Sequence, residues 1–124
     1  ELEKCLTKAT CPVALSHNDL LSANILFESH EDGAVSAMHF VDFEYGMTNW
    51  VAFDIANHFN EWSSFDEQLA GIWQFPDDAT GRRFAELYLT AYNGSAPEPH
   101  QLDQFYKQVL AFSLASNVFW GLWA

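Results

Sequence analysis

The chain has 124 residues, enough for one compact domain or one lobe of a larger protein; 49% hydrophobic and 16% aromatic content gives it ample core material and excludes disorder. Five Lys and Arg stand against 17 Asp and Glu, a formal net charge of −12, so the surface repels phosphate backbones: no nucleic-acid partner is expected, whereas small cations and divalent metal suit it. No apolar run approaches the length of a membrane span, so no transmembrane segment is expected.

Residues 2–9 read as the end of a helix that stops near Pro12. Cys5 and Cys11 form no C-x-x-C motif; a reduced, cytoplasmic protein is the simplest reading, with one local disulfide as the alternative. The start carries neither an initiator Met nor a leader pattern, and "FWGLWA" stops without a cap, so the chain reads as part of a longer protein. Ala14 to Leu21 is short and mixed and ends in a polar loop. Residues 25 to 43 read as a β-hairpin: Ile25-Leu26-Phe27, a polar turn "ESHEDG" closed by Gly33, then side chains that alternate from Val35 to Phe43 as in a half-buried strand. Glu44 to Asn49 reads as a loop, with Asn49 as N-cap of a helix over 50–62. Residues 63–78 are a connector with room for one helical turn. Asp78 or Thr80 caps a helix to about Tyr92, "NGSAPEP" breaks it, and a last helix runs from about Gln101 to the end, apolar on most sides after Val109. A small hairpin followed by three helices predicts an α+β fold, mainly helical.

"VDFEYGMTNWVAFDIANHFNEW" (41–62) sets carboxylates and amides among aromatics. At about 100° per residue, Asp54, Asn57 and Glu61 fall within about 60° of one another, while Ile55, Phe59 and Trp62 share the face expected to be buried. A solvated polar face is the plain reading of that pattern. The strand and loop that deliver Asp42 and Glu44 to the same helix favour a functional face.

"HNDLLSAN" (17–24) has the form H-x-D-x-x-x-x-N. In phosphoryl transfer a loop of this form lends an Asp to the attacking hydroxyl and an Asn to a metal ion across the same loop. An Asp at the end of the following hairpin, Asp42, is the second magnesium ligand expected of a kinase-like C-terminal lobe. The five histidines, 17, 30, 39, 58 and 100, make no zinc spacing, and His17 and His58 are expected to be structural.

"HNDLLSANIL", "VDFEY", "FDIANHFNEW" and "ASNVFWGLWA" together resemble the choline/ethanolamine kinase family, densely over 16–62 and 111–124, with "FPD" (75–77) a weaker echo. The resemblance implies a protein-kinase-like, aminoglycoside-phosphotransferase-like bilobal fold. Residues 1–124 would be part of its C-terminal lobe, with catalytic loop 16–24, metal-binding hairpin 25–44, and substrate-site helices 50–62 and 101–124. It implies Asp19 as the catalytic base or orienter of the substrate hydroxyl. Asn24 and Asp42 would bind Mg2+ and position ATP, the co-substrate. Tyr45, Asn57, Glu61, Trp120 and Trp123 would surround a cationic amino alcohol. Asp54 would brace the catalytic loop, with His17 as structural support. Aromatic faces attract ammonium groups at about 0.5–2 kcal/mol each, and Glu61 would supply the countercharge.

The implied reaction is phosphorylation of ethanolamine to phosphoethanolamine, the first step of the CDP-ethanolamine route to phosphatidylethanolamine. Leu20-Leu21, Ala23 and "NHFNE" lean toward the ethanolamine branch; choline or dual specificity is the alternative, and a non-catalytic kinase-like binding module is the alternative of another class. The family also admits a homodimer of the full-length protein. No Gly-rich loop followed by a strand lysine is present, and neither Lys4 nor Lys8 sits in that pattern, so half of the ATP site is expected to lie outside these residues and the chain alone to turn over no substrate.

Overall fold

The computed structural model of the chain describes residues 11–63 and 74–123. The expectations for residues 2–9, Cys5, Lys4, Lys8 and most of the 63–78 connector lie outside them. In chain order the elements are β1 (Val13–Ser16), a single 3-10 turn (Ser22–Asn24), β2 (Ile25–Ser29), β3 (Val35–Phe40), β4 (Met47–Trp50), α1 (Val51–Glu61), α2 (Asp78–Asn93) and α3 (Pro99–Trp123). The fold is the expected α+β, mainly helical one. None of the described helices is long and apolar enough to cross a membrane.

β2 and β3 form the expected hairpin, antiparallel from Ile25↔Phe40 to Ser29↔Val35 with an irregularity at Glu28/Ser29. Its turn is closed by His30 and Ala34, with Gly33 at φ 83°, a conformation that only glycine adopts without cost. Two details differ from expectation. The second strand stops at Phe40, so Asp42 sits beyond it, in the left-handed region at φ 62°. And that strand is not half-buried: Val35 is 58% exposed and Met38 53% exposed. Alternating hydrophobicity fixed the strand but not its cover, because the described helices pack elsewhere.

A second pair, β1 with β4, was not expected at all. It runs antiparallel from Val13↔Trp50 to Ser16↔Met47. Each strand has only four residues, and β4 carries Thr48 and Asn49, so neither segment announces itself locally. Asn49 is therefore a strand residue and not the helix cap. Trp50 occupies the cap position, with no side-chain cap, and Asn49 turns its amide toward the loop instead.

α1 lies at the centre. Val51, Ala52, Ile55, Ala56 and Phe59 are buried against Phe105, Val109 and Phe112 of α3 and Ala85 and Leu89 of α2. Burial of such side chains contributes about 1.5–3 kcal/mol each for the large ones. Asn60 and Ser113 exchange two hydrogen bonds, and Asn57 meets Ser116, so a rising number on α1 meets a falling one on α3: the two helices are antiparallel. Asp77, one residue before the expected caps, accepts from the Thr80 amide at 2.8 Å and starts α2; Gly94, at φ 72°, ends it. α3 begins two residues earlier than expected, at Pro99, whose missing N–H costs nothing in a first turn, and Gln101 reaches back to the Glu98 amide.

α2 approaches α3 through Gly81. A Cβ there would stand 2.6 Å from the Tyr106 hydroxyl and 2.9 Å from a ring carbon. Tyr106 is buried, and the Arg82 guanidinium lies 5.1 Å from its ring centre, so the ring has little room to yield. In Gly81→Ala a helix-propensity gain of about 1 kcal/mol opposes an overpacking cost of about 1–3 kcal/mol, and overpacking should win. Thermal denaturation of the full-length protein should show a lowered Tm for Gly81→Ala and a smaller loss when Tyr106→Phe removes the nearest atom. A raised Tm for the single variant would show that the interhelical contact is loose.

Candidate functional site

The site is assembled where the end of β1 meets the first turn of α1. After Ser16 the chain turns sharply, with Asn18 at φ 64°. Asn is among the few residues that enter this region readily. The carboxylate of Asp54, in the first turn of α1, accepts the His17 amide at 2.9 Å and the Asn18 amide at 2.7 Å, so the loop is bolted to the helix. Asp19 follows, half-buried, with its carbonyl receiving the Asn24 side-chain amide at 2.9 Å and its Oδ2 3.5 Å from the same nitrogen.

The hairpin is tied to this loop at its root. The Val41 amide donates to the Asn24 carbonyl at 3.1 Å, and the His17 ring nitrogen Nε2 donates to the Val41 carbonyl at 2.8 Å. Val41 is thus held at both ends, and Asp42 is the next residue. His17 packs on Phe43 at 4.5 Å between ring centres; its Nδ1 is buried with no hydrogen-bond partner among the described residues. His58 serves the other side of the loop: Nδ1–H donates to the Leu20 carbonyl at 2.7 Å while Nε2 accepts from Trp62 at 3.2 Å.

Asp19, Glu61, Trp120 and Trp123 line one cavity of about 780 Å³, with Asn60, Ser113 and Asn117 adding a polar wall. The two indoles stand 5.7 Å apart, and Tyr45 packs edge-on to both, 5.2 Å from Trp120 and 6.3 Å from Trp123. Tyr45 does not line this cavity. It lies behind Trp120, on a smaller apolar cavity of about 300 Å³ that it shares with Asn18 and Phe112. Asp42 lines neither of these two cavities; it is exposed on its turn.

The carboxylates are electrostatically unsettled. Burial pushes Asp19 above the usual carboxylate range; the nearby His17 pulls it back, and the Asp42 charge pushes it up again. Burial pushes Glu61 up as well, reinforced by the charge of Asp19. Lost solvation, then the charges of Glu44, Asp19 and Asp42, raise the Tyr45 phenol.

Asn57 carries more of the framework than its position on the polar face suggested. It was expected beside the substrate, on one polar face with Asp54 and Glu61. It lines the cavity with Asp19 and Glu61, yet is 0% exposed and ties the framework together: Nδ2 donates to the Asn18 carbonyl at 3.1 Å, and Oδ1 accepts from Ser116 and from the Trp120 indole, both at 2.7 Å. It therefore joins the cavity wall to the loop. The helix periodicity was right, but α3 covers the middle of the face. Asn18 and Ser116 were not singled out from sequence, and Asn49 was singled out only as a helix cap. For Ser116 a signal existed, since it stands one helical turn before Trp120 on the same face.

Carboxylates and an amide oxygen are hard donors of the kind magnesium takes, and the push of the Asp42 charge on Asp19 is what a bound cation would relieve. Among the described residues no cluster of three or more His, Cys, Asp or Glu is placed to hold a metal without the help of other donors. Cys11 is a free, buried thiol.

The family model for choline/ethanolamine kinase matches residues 1–124. Ethanolamine kinase 2 of Mus musculus is 39% identical over 123 residues, which is 99% of this chain and 30% of that protein. The solved ethanolamine kinase of Plasmodium vivax superposes with a TM-score of 0.74 at 31% identity, covering 98% of this chain and 30% of that one. The choline kinase of Cryptosporidium parvum also superposes at 0.74, with 26% identity and coverage of 98% and 35%. The chain spans about a third of the length of the curated relatives it matches. With the whole of the chain matched by the family model and its fold shared with solved members, this chain belongs to the choline/ethanolamine kinase family.

Proposed function

We propose that these residues form the substrate-binding and catalytic part of a longer, cytoplasmic enzyme that transfers the γ-phosphoryl group of ATP to the hydroxyl of ethanolamine, giving phosphoethanolamine and ADP. The observation that carries this is the shared cavity. Asp19 lies on its wall with Glu61, Trp120 and Trp123, so one small molecule can meet an acid at its hydroxyl end and a carboxylate with aromatic faces at its cationic end.

Asp19 aims the hydroxyl and takes its proton as the oxygen attacks phosphorus. In a loose transition state little proton transfer is needed early, so alignment is its larger task. Its raised pKa makes it a better proton acceptor than an ordinary aspartate. Glu61 and the indoles hold the ammonium. Asn24 and Asp42 are the residues that would hold magnesium, and when bound the ion supplies neutralisation of the phosphate charge. The lysine and glycine-rich loop that complete such a nucleotide site belong to chain beyond these residues in this reading.

A primary ammonium is favoured over a trimethylated one. Asn60, Ser113 and Asn117 give the cavity polar groups beside Glu61, and hydrogen-bond acceptors there reward N–H donors that choline lacks. The likeness to a solved choline kinase keeps choline, or both substrates, as the second reading.

Isotope transfer from labelled ATP by the full-length protein should favour ethanolamine over choline in kcat/KM. The reverse order would assign choline. A folded protein that binds nucleotide with magnesium yet phosphorylates no amino alcohol would turn the assignment into the binding-module alternative. In that assay Asp19→Asn should cost about 10²–10⁴ in kcat. Wild-type turnover by Asp19→Asn would remove Asp19 from the chemistry.

Glu61→Gln should separate binding from stability. The folded pKa of Glu61 lies above its unfolded value, so above both values the folded state carries a charge penalty, which disappears below the unfolded pKa. Replacing the carboxylate removes that penalty. Glu61→Gln should therefore raise the KM for ethanolamine about tenfold or more while its Tm at neutral pH equals or exceeds that of the parent, the difference vanishing in acid. A variant that binds ethanolamine normally, or that loses stability at neutral pH, would contradict this role.

A further inference from the structure

We propose that Asn18 is a positioning residue that locks the Asp19 loop to Trp120, on the wall of the amino-alcohol cavity, and to Tyr45 packed behind it, so that the hydroxyl-aiming acid and the ammonium-holding indole stay in register. The inference rests on the kinase reading above and assigns a role that the reading itself leaves open. It comes from a closed circuit of contacts. The Asn18 side-chain nitrogen donates to the Tyr45 carbonyl at 2.9 Å. The Asn18 carbonyl accepts from Asn57 at 3.1 Å, and Asn57 in turn accepts the Trp120 indole N–H at 2.7 Å. Tyr45 and Trp120 then meet edge to face at 5.2 Å. Two arms leave one residue, one ending on the Tyr45 backbone and the other on the Trp120 indole by way of Asn57, and the two rings touch.

Every other polar atom of Asn18 is also committed. Its amide donates to Asp54 at 2.7 Å, its Nδ2 also reaches the Ser16 carbonyl at 3.3 Å, and its Oδ1 accepts from Asn49 at 2.7 Å. The residue is only 7% exposed and sits at φ 64°. Few side chains meet these demands together. Gly would take the backbone conformation but offers no donor or acceptor. Asp would take it too, but loses both donors and sets another charge beside Asp54 and Asp19. Ala offers neither the conformation nor the bonds. Asn supplies a left-handed backbone, two donors and an acceptor in one buried group.

The functional consequence follows from distance sensitivity. Asp19 is covalently adjacent, so a loop that slips at Asn18 moves the acid relative to a substrate pinned by its ammonium. A misplacement of about 1 Å can cost about 10²-fold in rate. A residue that merely supported the fold would lower Tm and leave the kinetics of the folded enzyme unchanged.

The test uses full-length protein with ethanolamine and ATP, and two variants. Asn18→Gly keeps the backbone conformation and removes all side-chain bonds; Asn49→Ala removes one bond to Asn18 and leaves the loop sequence intact. For Asn18→Gly, kcat should fall about 10²-fold and the ethanolamine KM should rise about fivefold, while the ATP KM stays within about twofold. Asn49→Ala should change kcat and the ethanolamine KM in the same direction and by less. Folded variants with parental kcat and ethanolamine KM would overturn the proposal, as would a defect confined to the ATP KM. If Asn18→Gly does not fold, Asn49→Ala decides: parental kinetics in that folded variant overturn the proposal, and the smaller matching defect upholds it. An inactive parent would overturn the kinase reading and this inference together, whereas an active parent with unaltered variants overturns the inference alone.

Discussion

The Asp54 carboxylate is the constraint on which the rest of the structure depends. It sits in the first turn of α1, where the helix favours negative charge, and accepts two consecutive backbone amides from the chain that leaves β1. Hydrogen bonds to a charged acceptor contribute about 1.5–3 kcal/mol, and these two fix both position and direction of the loop. This is why a carboxylate stands within an otherwise apolar stretch. Remove it and two amides lose their partner, the turn at Asn18 loses its anchor, and Asp19 loses its fixed position.

A second polar seam fixes the other half of the site. Between α1 and α3 the packing is apolar at Val109 and Phe112, and any ridge could slide by a turn at modest cost. The pairs Asn60–Ser113 and Asn57–Ser116, with the Trp120 indole on Asn57, forbid it, because a shifted register would strand buried amides and hydroxyls. That register is what sets Trp120 and Trp123 opposite Glu61. Specificity of packing and shape of the cavity are therefore one property here.

Much of this was legible in the sequence where the signal is local. The three described helices follow from apolar spacing and breakers, and the hairpin from alternation around a Gly-bearing turn. The motif residues Asp19, Asn24 and Asp42 could be picked out because their spacing is itself a pattern. What escaped depends on distant chain. β1 and β4 pair across more than 30 residues, each too short to show a period. Asn57 lies on the face that periodicity assigned to it, yet periodicity cannot say that α3 will arrive to bury it. Asn18 was invisible because its role rests on a positive φ and on partners 27 to 39 residues away.

The site is built against its own stability. Asp19 is destabilised as an anion by burial and by Asp42, and Glu61 by burial and by Asp19, in a chain whose net charge is already −12. A fold selected for stability alone would neutralise such a cluster or move it to water. An anion at either position becomes more favourable when positive charge lies beside it, which the proposed ammonium at Glu61 and the proposed metal ion at Asp42 would supply. A cation bound beside these acids and their ionisation would be linked, each lowering the free energy of the other. On the proposed function, the repulsion that costs stability would be the same force that favours cation binding, so affinity and instability would share one electrostatic origin.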